Sequence, residues 1–388
     1  MGGVQYSTLY FAHELKKNRL INFSVLIPSL GKISDELQKR GLPHLISCEK
    51  SDFKSSSFSF FYDKIRVPNP FAMINNIAKI AFNIKIFKII LKQRRPRLVI
   101  TKGLYNHIAM GISSTSLGIP VIWHLQDLVS DRYFGLYRLF LKILAKKIPR
   151  LIICDGHMIK TVLGPTLSHK TKTILNGIEV NKFRRSISKR ISFRSEFNIS
   201  NHAYLIGNVS RITTWKGQYF LIKAFIEYQK KDPNSILVIV GSPLFSDNKY
   251  YCELKRIVNS KKLNGKIIFT GFRNDLDCVF SALDHFIYTP IEKDTTPLAL
   301  LSAFASGLPV SFSDIVSLKE LRPLFPNAKT FSPTKINQII SLMKYYKDEN
   351  VRKQDGLKNL QDAKKYFDIT LHTIKMMKQI KYVLKKWK

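Results

Sequence analysis

The chain has 388 residues, of which 45% are hydrophobic, so it can form two ordinary domains that each bury a core. No apolar run reaches the ~20 residues of a membrane-spanning helix, no secretory signal is visible, and four scattered cysteines indicate neither a metal site nor a disulfide framework. The formal charge is +36, and Lys64 to Gln126 contains ten Lys and Arg but no acid, which predicts attraction to anionic surfaces. We therefore expect a cytoplasmic protein.

Apolar runs of strand length alternate with helical patterns along the chain. The first series of predicted strands is Phe23–Ile27, Leu98–Thr101, Val121–His124, Leu151–Cys154 and Thr173–Leu175. The second series is Leu205–Val209, Ile236–Val240, Lys266–Thr270, His285–Tyr288 and Pro309–Phe312. This alternation predicts an α/β protein with two doubly wound parallel sheets facing a cleft.

The polar stretch between the two series predicts the domain organisation. We expect an N-terminal domain at 1–180, a linker at 181–201 and a C-terminal domain at 202–350. A helical segment at 351–388 is expected to pack back toward the N-terminal domain. The chain opens at a Gly-rich turn (Gly2-Gly3) and a helix, so the buried first strand of a doubly wound domain is missing. This favours a start that lies upstream over a sheet without its central strand.

Two basic residues follow the first strand of the second domain. Arg211 and Lys216 come after the run Leu205–Val209 and before a helical pattern, at the edge where α/β sheets bind ligands. A guanidinium fork and an ammonium group together suit a diphosphate, although two basic residues in so basic a chain are also expected by chance. Further on, an acidic Thr/Pro turn precedes the short apolar helix in Pro290–Val310, and a helix amino end beside such a turn predicts a phosphate site.

These segments, in this order, resemble glycosyltransferase family 4. The resemblance is carried by Asn176–Glu179, Arg211–Gly217, Val240–Pro243, Phe269–Phe272 and Asp294–Val310, with Gly2-Gly3 as the family's first Gly-rich loop. It implies the GT-B fold, two Rossmann-like domains, with a UDP- or GDP-sugar donor bound by the second. It also implies transfer with retention of anomeric configuration and no metal or other cofactor.

The resemblance places the donor-binding residues in the second domain. Arg211 and Lys216 match the pair that contacts the diphosphate, and two family glutamates fall on Asp294 and Ser302, where Asp294 keeps a catalytic carboxylate and Ser302 loses one. Glu292 is an alternative to Asp294, or a solvated loop acid. The remaining donor positions are Gly241, Phe272, Thr295, Thr296, Pro297 and Leu298.

Three candidate catalytic residues lie where a strand of the first domain ends: His124, Gln126 and Asp127. The family often has a catalytic His where this chain has Gln126. Strand alternation places His124 on the same face as residue 126, so it shares the site or is simply buried. Gly2 and Gly3 are expected to form an acceptor or phosphate loop.

The segment Phe71–Arg97 reads as a basic amphipathic helix, with Lys79, Asn83, Lys88 and Lys92 near one face. Such a helix contacts an anionic membrane surface, or is a core helix with a solvated polar face.

The sequence thus predicts a glycosyltransferase that moves a sugar onto a glycan or lipid-linked acceptor, in bacterial surface polysaccharide synthesis. A peripheral position at the inner membrane face fits that role. A nucleotide-sugar epimerase or phosphorylase, and a degenerate GT-B subunit without catalysis, stay open as alternatives. Charge alone suggests nucleic-acid binding, and no recognised nucleic-acid module is present.

Overall fold

The computed structural model describes residues 2–53, 57–60, 65–126, 136–244, 247–292 and 294–386. The chain forms two compact units, one of Met1–Leu175 with His372–Lys388 and one of Asn176–Leu371. Both units are α/β and contain parallel sheets, as the alternating pattern predicted, and the first unit also has one antiparallel pair of strands at 57–60 and 65–68. Among the described helices, none is both long enough and apolar enough to cross a bilayer.

The first unit is built on short strands and the helices between them. Its strands are β1 (Val25–Ile27), β2 (His44–Ile46), β3 (Ser57–Phe60), β4 (Ile65–Pro68), β5 (Val99–Lys102), β6 (Val121–Leu125), β7 (Leu151–Cys154) and β8 (Thr171–Thr173). Its helices are α1 (Gly3–Lys17), α2 (Lys32–Lys39), α3 (Pro70–Arg94), α4 (Leu104–Ser116), α5 (Leu136–Lys147) and α6 (His157–Leu163).

The parallel sheet β5-β6-β7-β8 has a hydrophobic cluster on each of its two faces, because successive residues of β6 point to opposite faces. Trp123 packs with α4, α5 and α6 on one face, whereas Ile122 packs with Leu15 of α1 and Met376 near the carboxyl end on the other. The pair β1-β2 is a separate two-stranded sheet, although Phe23 belongs to the apolar clusters of both sheets. Among the described elements, α1 comes before the first strand, β1.

The second unit contains six parallel strands in the order β11-β10-β9-β12-β13-β14, the order of a dinucleotide-binding sheet. The strands are β9 (Tyr204–Val209), β10 (Ser235–Val240), β11 (Ile267–Gly271), β12 (His285–Tyr288), β13 (Val310–Ser313) and β14 (Lys329–Phe331). The helices are α7 (Ile187–Glu196), α8 (Gln218–Gln229), α9 (Asn248–Ser260), α10 (Leu276–Ala282), α11 (Leu298–Ala305), α12 (Ile336–Tyr345) and α13 (Glu349–Phe367), and α14 (Ile369–Lys386) continues into the first unit.

The stretch predicted as an interdomain linker, 181–201, contains α7 and lies within the second unit. Arg194 of this helix is buried and donates to backbone carbonyl groups, among them that of Ala282 at the end of α10 (3.1 Å from Nε), and to Asp284 (2.7 Å). The polar composition therefore reflects a buried guanidinium network rather than a flexible connection. The predicted segment 351–388 is also divided, since residues up to Leu371 belong to the second unit.

The first half of helix α3 is amphipathic in the opposite sense to the sequence prediction, whereas Lys92 in the second half is exposed as predicted. Lys79 and Asn83, expected on a solvated face, are buried: Lys79 Nζ donates to Asp52 Oδ2 (2.8 Å), and Asn83 exchanges two hydrogen bonds of 2.9 Å with the backbone of Lys50. The apolar side chains of its first half face outward instead. These exposed residues, here called the outer row, are Phe71 (84% exposed), Ile74 (66%), Ile77 (63%) and Phe82 (40%).

Candidate functional site

The candidate site of the second unit lies where β9 and β12 end side by side. The loop after β9 carries residues 210–217, and the loop after β12 carries residues 289–297. Ile291 donates its backbone N–H to Trp215 (2.9 Å), and the Thr289 hydroxyl donates to the carbonyl oxygen of Lys216 (2.8 Å). Gln218 donates its amide to the carbonyl oxygen of Arg211 (2.8 Å). The two loops are thus joined at the edge where parallel sheets bind ligands.

Gly217 makes this close approach possible. Its φ is +69°, and a Cβ added there would lie 2.0 Å from the carbonyl oxygen of Thr289. Only glycine adopts this conformation at no steric cost and leaves room for the neighbouring backbone.

Lys216 is the predicted donor-binding residue whose side chain has the most hydrogen-bond partners. Its side chain is buried, and Nζ donates to the Tyr288 hydroxyl (2.6 Å) and to the carboxylate of Asp294, which also accepts from Tyr288. Burial lowers the pKa of Lys216, and the Asp294 charge opposes that shift. Tyr288 was not predicted as a site residue from the sequence, because an aromatic residue at the end of a buried strand is usually part of the hydrophobic core.

Arg211 is exposed, in contrast to Lys216. Its guanidinium lies over the Trp215 ring, 5.5 Å from the centroid, while Lys216 Nζ lies 4.3 Å from the same centroid. In the described part of the chain Arg211 forms no ion pair, so its donors are available to an anionic ligand. The tryptophan therefore places two cations at one edge of the sheet.

Thr296 adopts a strained backbone at the start of α11. Its φ is +37°, which is unusual for a β-branched residue, and its carbonyl oxygen accepts from Asn176 Nδ2 (3.3 Å). Pro297 is the N-cap of α11, and Leu298 is the first residue of the helix. Asn176, quoted above only as part of the family's turn, thus contacts the predicted phosphate loop.

The other predicted donor positions lie around these loops. Ser302 is 2% exposed on α11, Thr295 is half-buried, and Phe272 and Glu292 are exposed. Gly241 has a φ of +142°, and a Cβ there would lie 2.0 Å from the carbonyl oxygen of Ser210. Close packing of the loops after β9 and β10 is therefore sufficient to require glycine at 241.

Gln126 of the first unit belongs to a polar cluster at the carboxyl ends of β5, β6 and β7. Its Nε2 lies 3.0 Å from Ser7 Oγ and 3.5 Å from Asp155 Oδ2. Lys102, the last residue of β5, donates to the same Ser7 hydroxyl (3.0 Å). Sequence reasoning missed Ser7, Lys102 and Asp155, because their contacts join segments that are up to 119 residues apart.

The other first-unit candidates do not join this cluster in the described part. His124 is 1% exposed, neither ring nitrogen has a hydrogen-bond partner there, and burial holds its pKa well below the usual range, so the ring is neutral. Asp127 lies outside the described residues. Gly2 is the N-cap of α1 and Gly3 its first residue, and a Cβ added at either would meet no atom within 4 Å. No group of three or more metal-ligating side chains occurs among the described residues.

Part of the chain matches a known protein family. Residues 189–354 match the family described as glycosyl transferases group 1. The matched residues lie within the second unit and contain both loops of the candidate site.

Two curated relatives resemble parts of the chain. An uncharacterised glycosyltransferase of Methanocaldococcus jannaschii, MJ1059, is 25% identical over 59% of this chain and 58% of its own length. The O-antigen biosynthesis glycosyltransferase WclY of Escherichia coli is 28% identical over 40% of each chain. The matched stretches thus span about two fifths to three fifths of these relatives.

The fold is that of the GT-B glycosyltransferases. The crystal structure of Anabaena Alr3699/HepE in complex with UDP and glucose superposes with a TM-score of 0.80 at 19% identity, covering 98% of this chain and 96% of that one. A glycosyltransferase of Rickettsia africae gives 0.79 at 17% identity, covering 99% and 96%. The predicted GT-B fold class is confirmed.

Proposed function

We propose that the protein is a glycosyltransferase that transfers a sugar from a UDP- or GDP-sugar to a glycan or lipid-linked acceptor, with retention of configuration. The observation that carries this proposal is the pairing of Arg211 with Lys216 at the carboxyl ends of β9 and β12. An exposed guanidinium and a buried ammonium group, both beside Trp215, suit the two phosphates of a nucleotide-sugar.

In this proposal the donor phosphates lie between Arg211 and the loop that leads into α11. Charge builds up on the leaving diphosphate as the sugar bond breaks, and cations already fixed in place stabilise it without reorganisation. Asp294 and Tyr288 fix Lys216 for this purpose. Thr295, Thr296 and Leu298 offer backbone donors, while Ser302 supplies a hydroxyl toward the ribose in place of a carboxylate.

The first unit is proposed to bind the acceptor. Gln126 can hydrogen-bond a sugar hydroxyl but cannot act as a general base, so transfer depends on positioning and on stabilisation of the phosphate charge. Gly2 and Gly3 leave open space beside α1 for an acceptor or phosphate group. A role in surface polysaccharide synthesis is supported by the resemblance to WclY, which is named for O-antigen biosynthesis.

We further propose that the protein works at the cytoplasmic face of a membrane and contacts anionic lipid through α3. The outer row exposes four large apolar side chains, and the second half of the helix adds exposed cations, among them Lys85, Lys92 and Arg94. Apolar side chains beside basic ones are the composition of interfacial helices.

Binding and product analysis test the enzymatic proposal. We expect UDP or GDP to bind in calorimetric titration, and Arg211→Ala and Lys216→Ala each to lower turnover by roughly 10²–10³, the effect of losing one transition-state charge partner. Lys223→Ala, an exposed lysine on α8, is the matched control. Unchanged turnover in both site variants overturns the donor-site assignment.

The same assay separates the alternatives. Release of a free, epimerised sugar by hydrolysis of the nucleotide-sugar, without any glycan acceptor, identifies an epimerase. Formation of a sugar 1-phosphate that depends on added inorganic phosphate identifies a phosphorylase. The absence of binding by every nucleotide identifies a GT-B subunit without catalysis.

A further inference from the structure

Lys102 is a lysine that the donor-site proposal leaves unused. It ends β5 beside His124 of β6, with which it is in register, at the carboxyl edge of the sheet. In the described part of the chain it has no carboxylate within 4.0 Å, and the Ser7 hydroxyl is its hydrogen-bond partner. An ammonium group has three N–H donors, so two of them have no protein acceptor there.

The surrounding contacts hold Lys102 in place. Ser7 Oγ donates its proton to the carbonyl oxygen of Val4 (2.9 Å), which leaves its lone pairs to accept from Lys102 and from Gln126 Nε2, both at 3.0 Å. Gln126 Nε2 also lies 3.5 Å from Asp155 Oδ2. The cluster therefore fixes the amine rather than neutralising it.

The charge balance at this point favours an anion. Burial lowers the pKa of Lys102 to about 7, and Asp155 is the acid that opposes the shift. The other titratable groups that face Lys102 are His124 of β6 and His372 of α14, both held neutral by burial. A ligand that brings a negative charge restores the protonated amine.

Open space lies beside the backbone that follows Lys102 and beside the start of α1. Gly103 follows Lys102 with a φ of +80°, and a Cβ added there would meet no atom within 4 Å. The same holds for Gly2 and Gly3 at the start of α1, the helix that carries Ser7.

We propose that Lys102 binds an oxyanion, a phosphate ester or a carboxylate, on the acceptor. The ammonium group donates hydrogen bonds to the oxyanion, while Ser7 and Gln126 hold the lysine side chain in position. The inference rests on the proposed function only where it names the ligand as the acceptor. Binding of the oxyanion itself requires no nucleotide-sugar. A phosphate comes from a lipid carrier and a carboxylate from an acidic sugar, so the ligand chemistry distinguishes the two sources.

Residue-resolved amine labelling tests the site in the full chain. The protein is labelled near pH 7 with an amine reagent, with and without an alkyl phosphate, glucuronate or glucose, and modification is read by peptide mass spectrometry. We expect an oxyanion to slow labelling of Lys102 and to leave Lys172, an exposed lysine on β8, unchanged. Protection by the alkyl phosphate alone indicates a phosphate acceptor, and protection by glucuronate alone an acidic sugar. Protection by neither, or equally by glucose, overturns the proposal.

Substitution provides an independent measurement. Lys102→Met is expected to weaken binding of the protecting oxyanion at least about tenfold, the value of one hydrogen bond to a charged group, while nucleotide binding is unchanged and Lys102→Arg restores oxyanion affinity. Wild-type affinity is expected to fall as the pH rises above 7. If Lys102→Met binds the oxyanion as tightly as the wild type does, the assignment of Lys102 is wrong. If the wild type binds no nucleotide, only the proposed donor site is wrong.

Discussion

Lys216 and Asp294 form a buried ion pair across 78 residues of sequence, and Tyr288 donates to the same carboxylate. The two charged residues were predicted as separate contacts of a donor. In the structure they contact each other, so Asp294 balances the charge that a diphosphate is proposed to meet. A nucleotide that binds here competes with Asp294 for the ammonium group or shares it.

The Asp294→Asn variant tests whether a bound diphosphate contacts the Lys216 ammonium group. Without the carboxylate, Lys216 becomes a buried cation without its counter-charge, and we expect the free energy of unfolding to fall by about 3 kcal/mol. A bound nucleotide diphosphate supplies the missing charge, so it should raise the melting temperature more in Asp294→Asn than in wild type. Asp277→Asn, which removes the partner of the more exposed Lys189, is the control. An equal thermal shift in all three proteins shows that the diphosphate does not contact Lys216.

Gly217 is expected to be intolerant of any side chain. Alanine there must adopt a φ of +69° and place its Cβ 2.0 Å from the carbonyl oxygen of Thr289, so the two loops must separate. We expect Gly217→Ala to cost about 2–4 kcal/mol of unfolding free energy and to weaken nucleotide binding. Gly265→Ala is the matched control, because a Cβ there meets no atom within 4 Å. Urea unfolding of both variants measures this loss of stability. If Gly217→Ala is as stable as Gly265→Ala, the close-packing argument is wrong.

The sequence predicted the second unit well because its strands are buried on both faces. Ile236–Val240 is a continuous apolar run and Leu205–Val209 is apolar except for Gly207 and Asn208, and the observed strands extend each by one residue at the amino end. His44–Ile46 and Lys329–Phe331 were not predicted, since each has only three residues and is partly exposed. Such short strands form because neighbouring strands pair with them.

The site was harder to predict than the fold. The family resemblance predicts Arg211 and Lys216 as donor contacts, but no local pattern pairs Lys216 with Tyr288 or joins Ser7 to Gln126. Helix α3 illustrates the same limit, because Lys79 is buried only when Asp52 lies beside it. Periodicity indicates that a helix has two faces, and tertiary contacts decide which face is buried.

Buried histidines make stability sensitive to acid. His285 of β12 contacts the Tyr204 hydroxyl (3.1 Å) and Ser311 Oγ (2.8 Å), and burial lowers its pKa to about 3. Below pH 6.5 the unfolded chain takes up a proton that the native state does not, so unfolding free energy decreases as the pH falls. The slope is about 1.4 kcal/mol per pH unit for one such group.

His285→Gln removes this group while keeping polar atoms in place. We expect the loss of unfolding free energy between pH 7 and pH 5 to be smaller by ~2 kcal/mol than in wild type, as measured by urea titration at both values. His202→Gln changes an exposed residue and should reproduce the wild-type loss. If His285→Gln also behaves as wild type, His285 is protonated in the native state and the argument fails.

The outer row of α3 predicts salt-sensitive binding to anionic vesicles. Phe71, Ile74 and Ile77 expose apolar surface because the inward face of this half-helix is taken by Asn76, Lys79 and their polar partners. Burying these side chains in a bilayer removes apolar area from water, and the basic second half of the helix attracts anionic headgroups.

Cosedimentation with vesicles measures this binding. Wild type should sediment with vesicles that contain phosphatidylglycerol and much less with phosphatidylcholine alone, and added salt should release it. The triple variant Phe71→Glu, Ile74→Glu, Ile77→Glu should stay in the supernatant. The matched control places glutamate at Ile187 and Ile191 of α7, which are 79% and 47% exposed in the second unit, and should still sediment. Sedimentation of the α3 variant at the wild-type level means that another surface binds the membrane, because three introduced carboxylates cannot enter an anionic headgroup layer without a large desolvation cost.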